Sequence, residues 1–178
     1  MLRLFAAIEI PEDIGIPLLA RQQGIEGARW RPLEALHITL RFIGDVSETT
    51  ADDLDLELER ISQSPFGLEL ERVGSFGEGA DLHAVWAGVA ESEPLRRLAK
   101  ACESAARRAG LASETRAYRP HVTLAYLKRS NPAEVATWIQ ANNLLHSPTF
   151  AVDRFGLYSS WRTAEGSRYR LEREYRLG

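Results

Sequence analysis

Apolar and polar positions alternate along this chain in a pattern that switches between strand and helix periods. Leu2–Ile10 (LRLFAAIEI) is a short apolar run that stops at Pro11 and reads as a buried strand. Pro11–Gly24 fits a helix, with Pro11 in its first turn and Gly24 at its end. Trp30–Leu36 is a proline-containing connector. Leu36–Ile43 (LHITLRFI) is rich in β-branched and aromatic residues and meets Gly44-Asp45, which predicts a strand with a turn after it. Ser47–Ile61 opens on a capping serine and carries Leu54, Leu58 and Ile61 at helical spacing, with Asp52–Glu59 as its solvated acidic face. Phe66–Val73 and Leu82–Val89 read as two strands joined by a glycine-rich loop.

The second half repeats this order. Glu93–Ala109 is amphipathic, with Gly110 as its stop. Pro120 leads into a strand at His121–Leu127 (HVTLAYL). Asn131-Pro132 opens a helix to about Gln140. Thr149–Tyr158 and Arg168–Arg176 complete a strand pair around a turn at Thr163–Ser167. The economical explanation is an internal duplication. It predicts an α+β fold in one domain, residues 1–178, built from two intertwined, pseudo-symmetric lobes that face each other across a cleft.

Within this pattern one phrase recurs: His-Ile-Thr-Leu at 37–40 and His-Val-Thr-Leu at 121–124. Strand side chains alternate faces, so His37 and Thr39 share one face and Ile38 and Leu40 the other. The same holds for His121 and Thr123 against Val122 and Leu124. The aliphatic face belongs to the core. The polar face carries an imidazole and a hydroxyl about 7 Å apart. One such face is usually a hydrogen-bonded surface pair. Two in matching contexts suit phosphodiester cleavage, in which one histidine takes a proton from the attacking oxygen and the other gives one to the leaving oxygen. Threonine hydroxyls can donate to the non-bridging oxygens as charge builds on them.

Composition narrows the field without deciding it. The 178 residues carry a net charge of −3, which excludes nucleic-acid binding by bulk positive charge. Lys100 and Lys128 are the only lysines; the other basic residues are arginines, which grip phosphate through a bidentate fork. Cys102 stands alone, so no intrachain disulfide or cysteine metal cluster forms, and a reducing cytoplasm is expected. Neither a secretory leader nor a membrane-spanning run is legible. No metal or cofactor is expected, because the His-x-Thr pairs lack metal-site spacing.

The doubled motif resembles the two-histidine (2H) phosphoesterase superfamily. Its flanking phrases, LFAAIEIP at 4–11, ARWRPLEALHITLRFIGDV at 28–46, VWAGV at 85–89, RAYRPHVTLAYLKR at 116–129, DRFGLYSS at 153–160 and RYRLE at 168–172, resemble the RNA 2′,3′-cyclic phosphodiesterases, also called 2′–5′ RNA ligases or LigT-like proteins. The resemblance implies the LigT-like fold and metal-independent hydrolysis of a 2′,3′-cyclic phosphate at an RNA 3′ end to a 2′-phosphate. It implies His37 as proton donor, His121 as proton acceptor, and Thr39 and Thr123 as phosphate-binding residues. From spacing alone the two histidine roles are interchangeable. The implied partners are RNA 3′ ends or cyclic nucleotides, acted on by a monomer.

Three neighbours are candidate substrate contacts. Arg41, four residues after His37, is expected on the same strand face. Arg119 precedes Pro120, is held extended, and is expected on the His121 face. Tyr126 stands where relatives often carry arginine, and a tyrosine there suits stacking on a base. His83 and His146 read as surface residues. Trp30, Trp86, Trp138 and Trp161 read as packing residues, with Trp161 the one held in reserve for a base. The alternatives are another small substrate in the same cleft, such as ADP-ribose 1″,2″-cyclic phosphate or a 2′–5′ oligonucleotide, and a non-catalytic module that binds RNA ends.

Overall fold

The computed structural model describes residues 1–178. Ten strands form an eight-stranded antiparallel sheet and a two-stranded one. In the large sheet the order is β10 (Gly166–Arg176), β9 (Arg154–Thr163), β1 (Leu2–Glu9), β3 (His37–Val46), β7 (His121–Tyr126), β6 (Ala84–Val89) and β5 (Leu70–Phe76), with the short β2 (Arg29–Trp30) paired to β7. The seam lies in the middle, where β3 meets β7 through the single pair Ile38–Val122. The lobes are therefore not the two halves of the sequence. The N-terminal strands β1 and β3 join the C-terminal β9 and β10, and the middle of the chain builds the other side.

Four helices cover the sheet. α2 (Glu48–Glu59) and α3 (Glu93–Arg108) pack together, and α3 lies on β3. α1 (Glu12–Leu19) and α4 (Pro132–Asn142) are tied at the other lobe, where Trp138 donates its indole N–H to the Arg21 carbonyl at 2.8 Å. Serine and asparagine begin three of the helices: Ser47, Ser92 and Asn131 accept from the backbone N–H of Thr50, Leu95 and Ala133. Gly110 takes φ +89° just past α3, a conformation that favours glycine and ends the helix.

One cluster of 39 buried residues joins both lobes. Ile38, Leu40, Val122 and Leu124 all belong to it, as the alternation of the motif strands requires. Each fully buried aliphatic side chain contributes about 1.5–3 kcal/mol of transfer free energy. The motif strands are thus anchored from behind by the side chains that alternate with His and Thr.

Several element boundaries differ from the sequence pattern. The first helix stops at Leu19, well before Gly24. The connector holds β2 and a 3₁₀ turn, Leu33–Ala35. β3 passes through Gly44, whose φ of +88° accommodates a distortion that the pattern suggests as a terminus. Phe66–Leu68 and Phe150–Val152 leave the main strands to pair with each other as β4 and β8. The final hairpin is longer than expected because its polar strands (SSWRT, GSRYR) conceal their alternation.

Candidate active site

The antiparallel register that pairs Ile38 with Val122 sets His37 opposite Thr123 and Thr39 opposite His121. Two polar pairs from distant parts of the chain meet on one face of the seam. Both imidazoles are held alike. Nδ1 of His37 lies 2.8 Å from the Ala35 carbonyl, and Nδ1 of His121 lies 2.7 Å from the Arg119 carbonyl. A carbonyl only accepts, so Nδ1 carries the proton in both rings and Nε2 is left for chemistry. The carbonyl comes from residue i−2 each time, so the tautomer is set by the backbone that leads into each motif.

Aromatic rings repeat the same symmetry. Tyr169 meets the His37 ring edge-on at 5.3 Å and 87°, and Phe76 meets the His121 ring at 4.7 Å and 87°. Phe5 adds a second contact to His37 at 4.9 Å, and Trp86 one to His121 at 6.4 Å. Trp86 lies across Gly74, where a Cβ would come within 2.4 Å of its indole.

This apolar collar lowers the basicity of both histidines. Burial pushes His37 down from 6.5 to about 4, against the opposing effect of the Ala35 hydrogen bond; the charges of Arg31 and His121 push the same way as burial. Burial likewise lowers His121, with the Arg119 carbonyl opposing and the Arg119 charge assisting. In the free protein at neutral pH both rings are neutral.

A β-bulge follows each motif. In β3, Thr39 pairs with Ala7 and Arg41 with Ala6, so Leu40 is the extra residue. In β7, Thr123 pairs with Trp86 and Ala125 with Val85, so Leu124 is extra. The bulge shifts the alternation by one and corrects the expectation for Arg41. Its side chain turns to the helix side, where it is 10% exposed and paired with Glu103 of α3, and its guanidinium donates to the Ala112 carbonyl at 2.7 Å. The residues that reach the cleft instead are Phe42 and Tyr126, both of which line it.

Arg119 stands beside His121, its guanidinium 5.0 Å over the Phe76 ring, and it forms no ion pair. Tyr126 is 43% exposed. Trp161, 46% exposed, lines the same cleft, as do Arg3, Arg29 and Arg162. The cleft has a volume of about 830 Å³. His83 is exposed as expected, yet it sits on the cleft rim and stacks on Phe76. His146 lies away from the cleft, paired with Glu69. Trp138 is core, and Trp30 packs against it. No three His, Cys, Asp or Glu side chains converge as a metal-ligand set.

The sequence reading missed the aromatic collar and Arg31. Arg31 is 7% exposed, lines the cleft, and lies over the rings of Tyr126 and Tyr169. Its position inside the phrase ARWRP was the available signal. No periodicity marks it as inward-facing, because β2 has only two residues.

The sequence model of the 2′-5′ RNA ligase superfamily matches residues 17–163. The chain is 30% identical over 172 residues to the RNA 2′,3′-cyclic phosphodiesterase of Archaeoglobus fulgidus, covering 95% of this chain and 97% of that one. It is 32% identical over 171 residues to the Escherichia coli protein of the same name, covering 94% and 92%. The crystal structure of E. coli LigT complexed with 3′-AMP superposes with a TM-score of 0.79 at 30% identity, covering 99% of this chain and 98% of that one. The paired motifs, the split antiparallel sheet and these likenesses agree: the chain is a member of the 2′-5′ RNA ligase superfamily of 2H phosphoesterases.

Proposed function

We propose that this protein hydrolyses 2′,3′-cyclic phosphate ends of RNA to 2′-phosphates by general acid–base catalysis. The observation that carries the reading is the matched fixing of His37 and His121, each with Nδ1 on the carbonyl of residue i−2 and Nε2 unengaged. Relatives named RNA 2′,3′-cyclic phosphodiesterase support the substrate.

Nε2 of His121 takes a proton from water as its oxygen attacks phosphorus. The P–O3′ bond breaks, and Nε2–H of His37 delivers a proton to O3′. Thr39 and Thr123 donate to the non-bridging oxygens, where charge accumulates. His37 is neutral in the empty cleft. The anionic phosphate raises its pKa on binding, and the surrounding rings keep its imidazolium a stronger acid than one in water. A 5′-hydroxyl in place of water would yield a 2′–5′ linkage by the same proton transfers. The arginines and Trp161 along the cleft suit an RNA strand better than a free mononucleotide.

Phosphorus NMR of a nucleoside 2′,3′-cyclic phosphate tests this reading. Wild-type protein is expected to form the 2′-phosphate, with chelator making no difference. His37→Ala and His121→Ala are each expected to lose about two to four orders of magnitude in rate. Retention of most activity by either variant would overturn the mechanism.

A further inference from the structure

Arg31 is a buried cation without an anion. The protein gives it no ion pair: Glu34 and Glu165 border the adjoining pocket with it, yet Glu165 pairs with Arg168 and Glu34 with nothing. A guanidinium has five N–H donors, and here they meet only neutral acceptors: Nη2 donates to the Ser167 carbonyl at 2.9 Å, and the Tyr169 hydroxyl is a further partner. Burying a charge is costly unless it is paired. The rings of Tyr126 and Tyr169, 5.6 Å and 5.4 Å from the guanidinium carbon, flank it but supply no negative charge.

Its place in the sheet gives the reason. β2 and β3 follow the same edge of β7, one after the other. The Arg31 N–H donates to the Leu124 carbonyl at 2.8 Å, and His37 lies opposite Thr123. Arg31 and His37 thus stand at consecutive positions along the second motif strand. Gln22 fixes this junction, since its side-chain amide donates to the carbonyls of Arg31 and Leu124 at 2.9 and 3.3 Å. The Tyr169 ring that meets His37 edge-on also lies under the Arg31 guanidinium. The charge of Arg31 is felt at His37, where it opposes protonation until an anion enters.

We propose that Arg31 is a catalytic residue that grips the non-bridging oxygens of the substrate's phosphate from the His37 side of the cleft. Neither motif strand supplies a cation there. Arg41 is turned away by the first bulge, and the corresponding position after the second holds Ala125. Arg31, the residue that follows β2 along the edge of β7, delivers the charge instead. Bound phosphate completes the pairing that the fold leaves open, and the planar fork steadies the phosphorane-like charge as P–O3′ breaks. This role rests on the phosphodiesterase reading.

Three variants test it: Arg31→Gln, Arg31→Lys, and Arg31→Gln combined with Tyr126→Arg, which returns a guanidinium to the place Arg31 now overlies. Two readouts are taken. One is kcat and KM on adenosine 2′,3′-cyclic monophosphate, whose only phosphate is the reacting one. The other is inorganic phosphate affinity, followed by the imidazole NMR signals of His37 and His121. Arg31→Gln is expected to lower kcat about a hundredfold and to weaken phosphate binding about tenfold. Arg31→Lys is expected to recover binding more than kcat, because an ammonium keeps the charge and loses the fork. The double variant is expected to regain about tenfold in kcat over Arg31→Gln. Wild-type kcat and phosphate affinity in folded Arg31→Gln would overturn the proposal. So would losses in Arg31→Gln that follow its unfolded fraction, with no recovery in the double variant. If wild-type protein cleaves no cyclic phosphate, the functional reading fails, and the phosphate titration still decides whether Arg31 is an anion ligand.

Discussion

The phenolic hydroxyl of Tyr118 donates to the carbonyl oxygen of Thr39 at 2.8 Å. The segment that leads into the second motif is thereby fastened to the backbone of the first. β3 and β7 share only one paired position, so this bond is a second tie across the seam. Burial pushes the Tyr118 hydroxyl well above its ordinary pKa, which keeps it a donor throughout the working range.

Tyr118→Phe leaves the Thr39 carbonyl without this donor and keeps the ring. It is expected to cost about 1–2 kcal/mol of stability and to lower kcat about tenfold, because Thr39 and His37 lose their fixed distance from His121. Thermal unfolding and steady-state kinetics check both parts; unchanged kcat would show that the seam is held elsewhere.

Arg41 separates stability from chemistry. Arg41→Gln removes a largely buried partner of Glu103 while the cleft side of β3 keeps its residues. The expected loss is about 1–3 kcal/mol, with kcat/KM at full value for the folded fraction. A large fall in kcat/KM without loss of stability would place Arg41 in the cleft after all.

The pH dependence of kcat/KM follows from two depressed imidazoles. On the proposed mechanism the productive form holds one proton between His37 and His121, so it is expected to gain population as pH rises through about 4, the value for His37. It loses population above the His121 pKa, which burial holds below its ordinary value. The kcat/KM bell is therefore expected to peak on the acid side of pH 6.5. The kcat profile is expected at higher pH, since bound phosphate favours the imidazolium. Coincident profiles peaking above pH 7 would contradict this.

Folding stability carries the same signature. An unfolded chain protonates His37 near 6.5, whereas the folded chain holds it neutral down to about 4. Between those values the unfolded state binds more protons, so stability rises with pH across this window and levels off above it. His121 contributes in the same direction. A His37→Gln variant is expected to show a shallower rise in melting temperature between pH 4 and 6.5; an unchanged slope would mean that the ring is not desolvated.

Much of this was legible in the chain. The motif strands declare themselves because a strand buried on one side must alternate, and Ile38, Leu40, Val122 and Leu124 satisfy that rule. Helices α2 and α4 are marked by Ser47 and Asn131, whose side chains cap within three residues of their own position, and α3 by its amphipathic pattern and the Gly110 stop. Local rules of this kind need no knowledge of the rest of the fold. They also place His and Thr together on each polar face.

Arg41 and Arg31 show where local rules stop. A bulge is created by the mismatch between two strands, and β3 acquires its extra residue only when Leu40 fails to find a partner between Ala6 and Ala7. The periodicity of β3 alone points Arg41 into the cleft; pairing turns it out. Arg31 enters for the converse reason, because β2 aligns with β3 along one edge of β7, a neighbour nearly a hundred residues away in sequence. The sequence by itself determined the chemistry on offer: two histidines, two threonines and the strands that carry them. Tertiary structure alone decided which charges stand beside them, because side-chain facing at a bulge or a strand end depends on what the partner strand leaves unpaired.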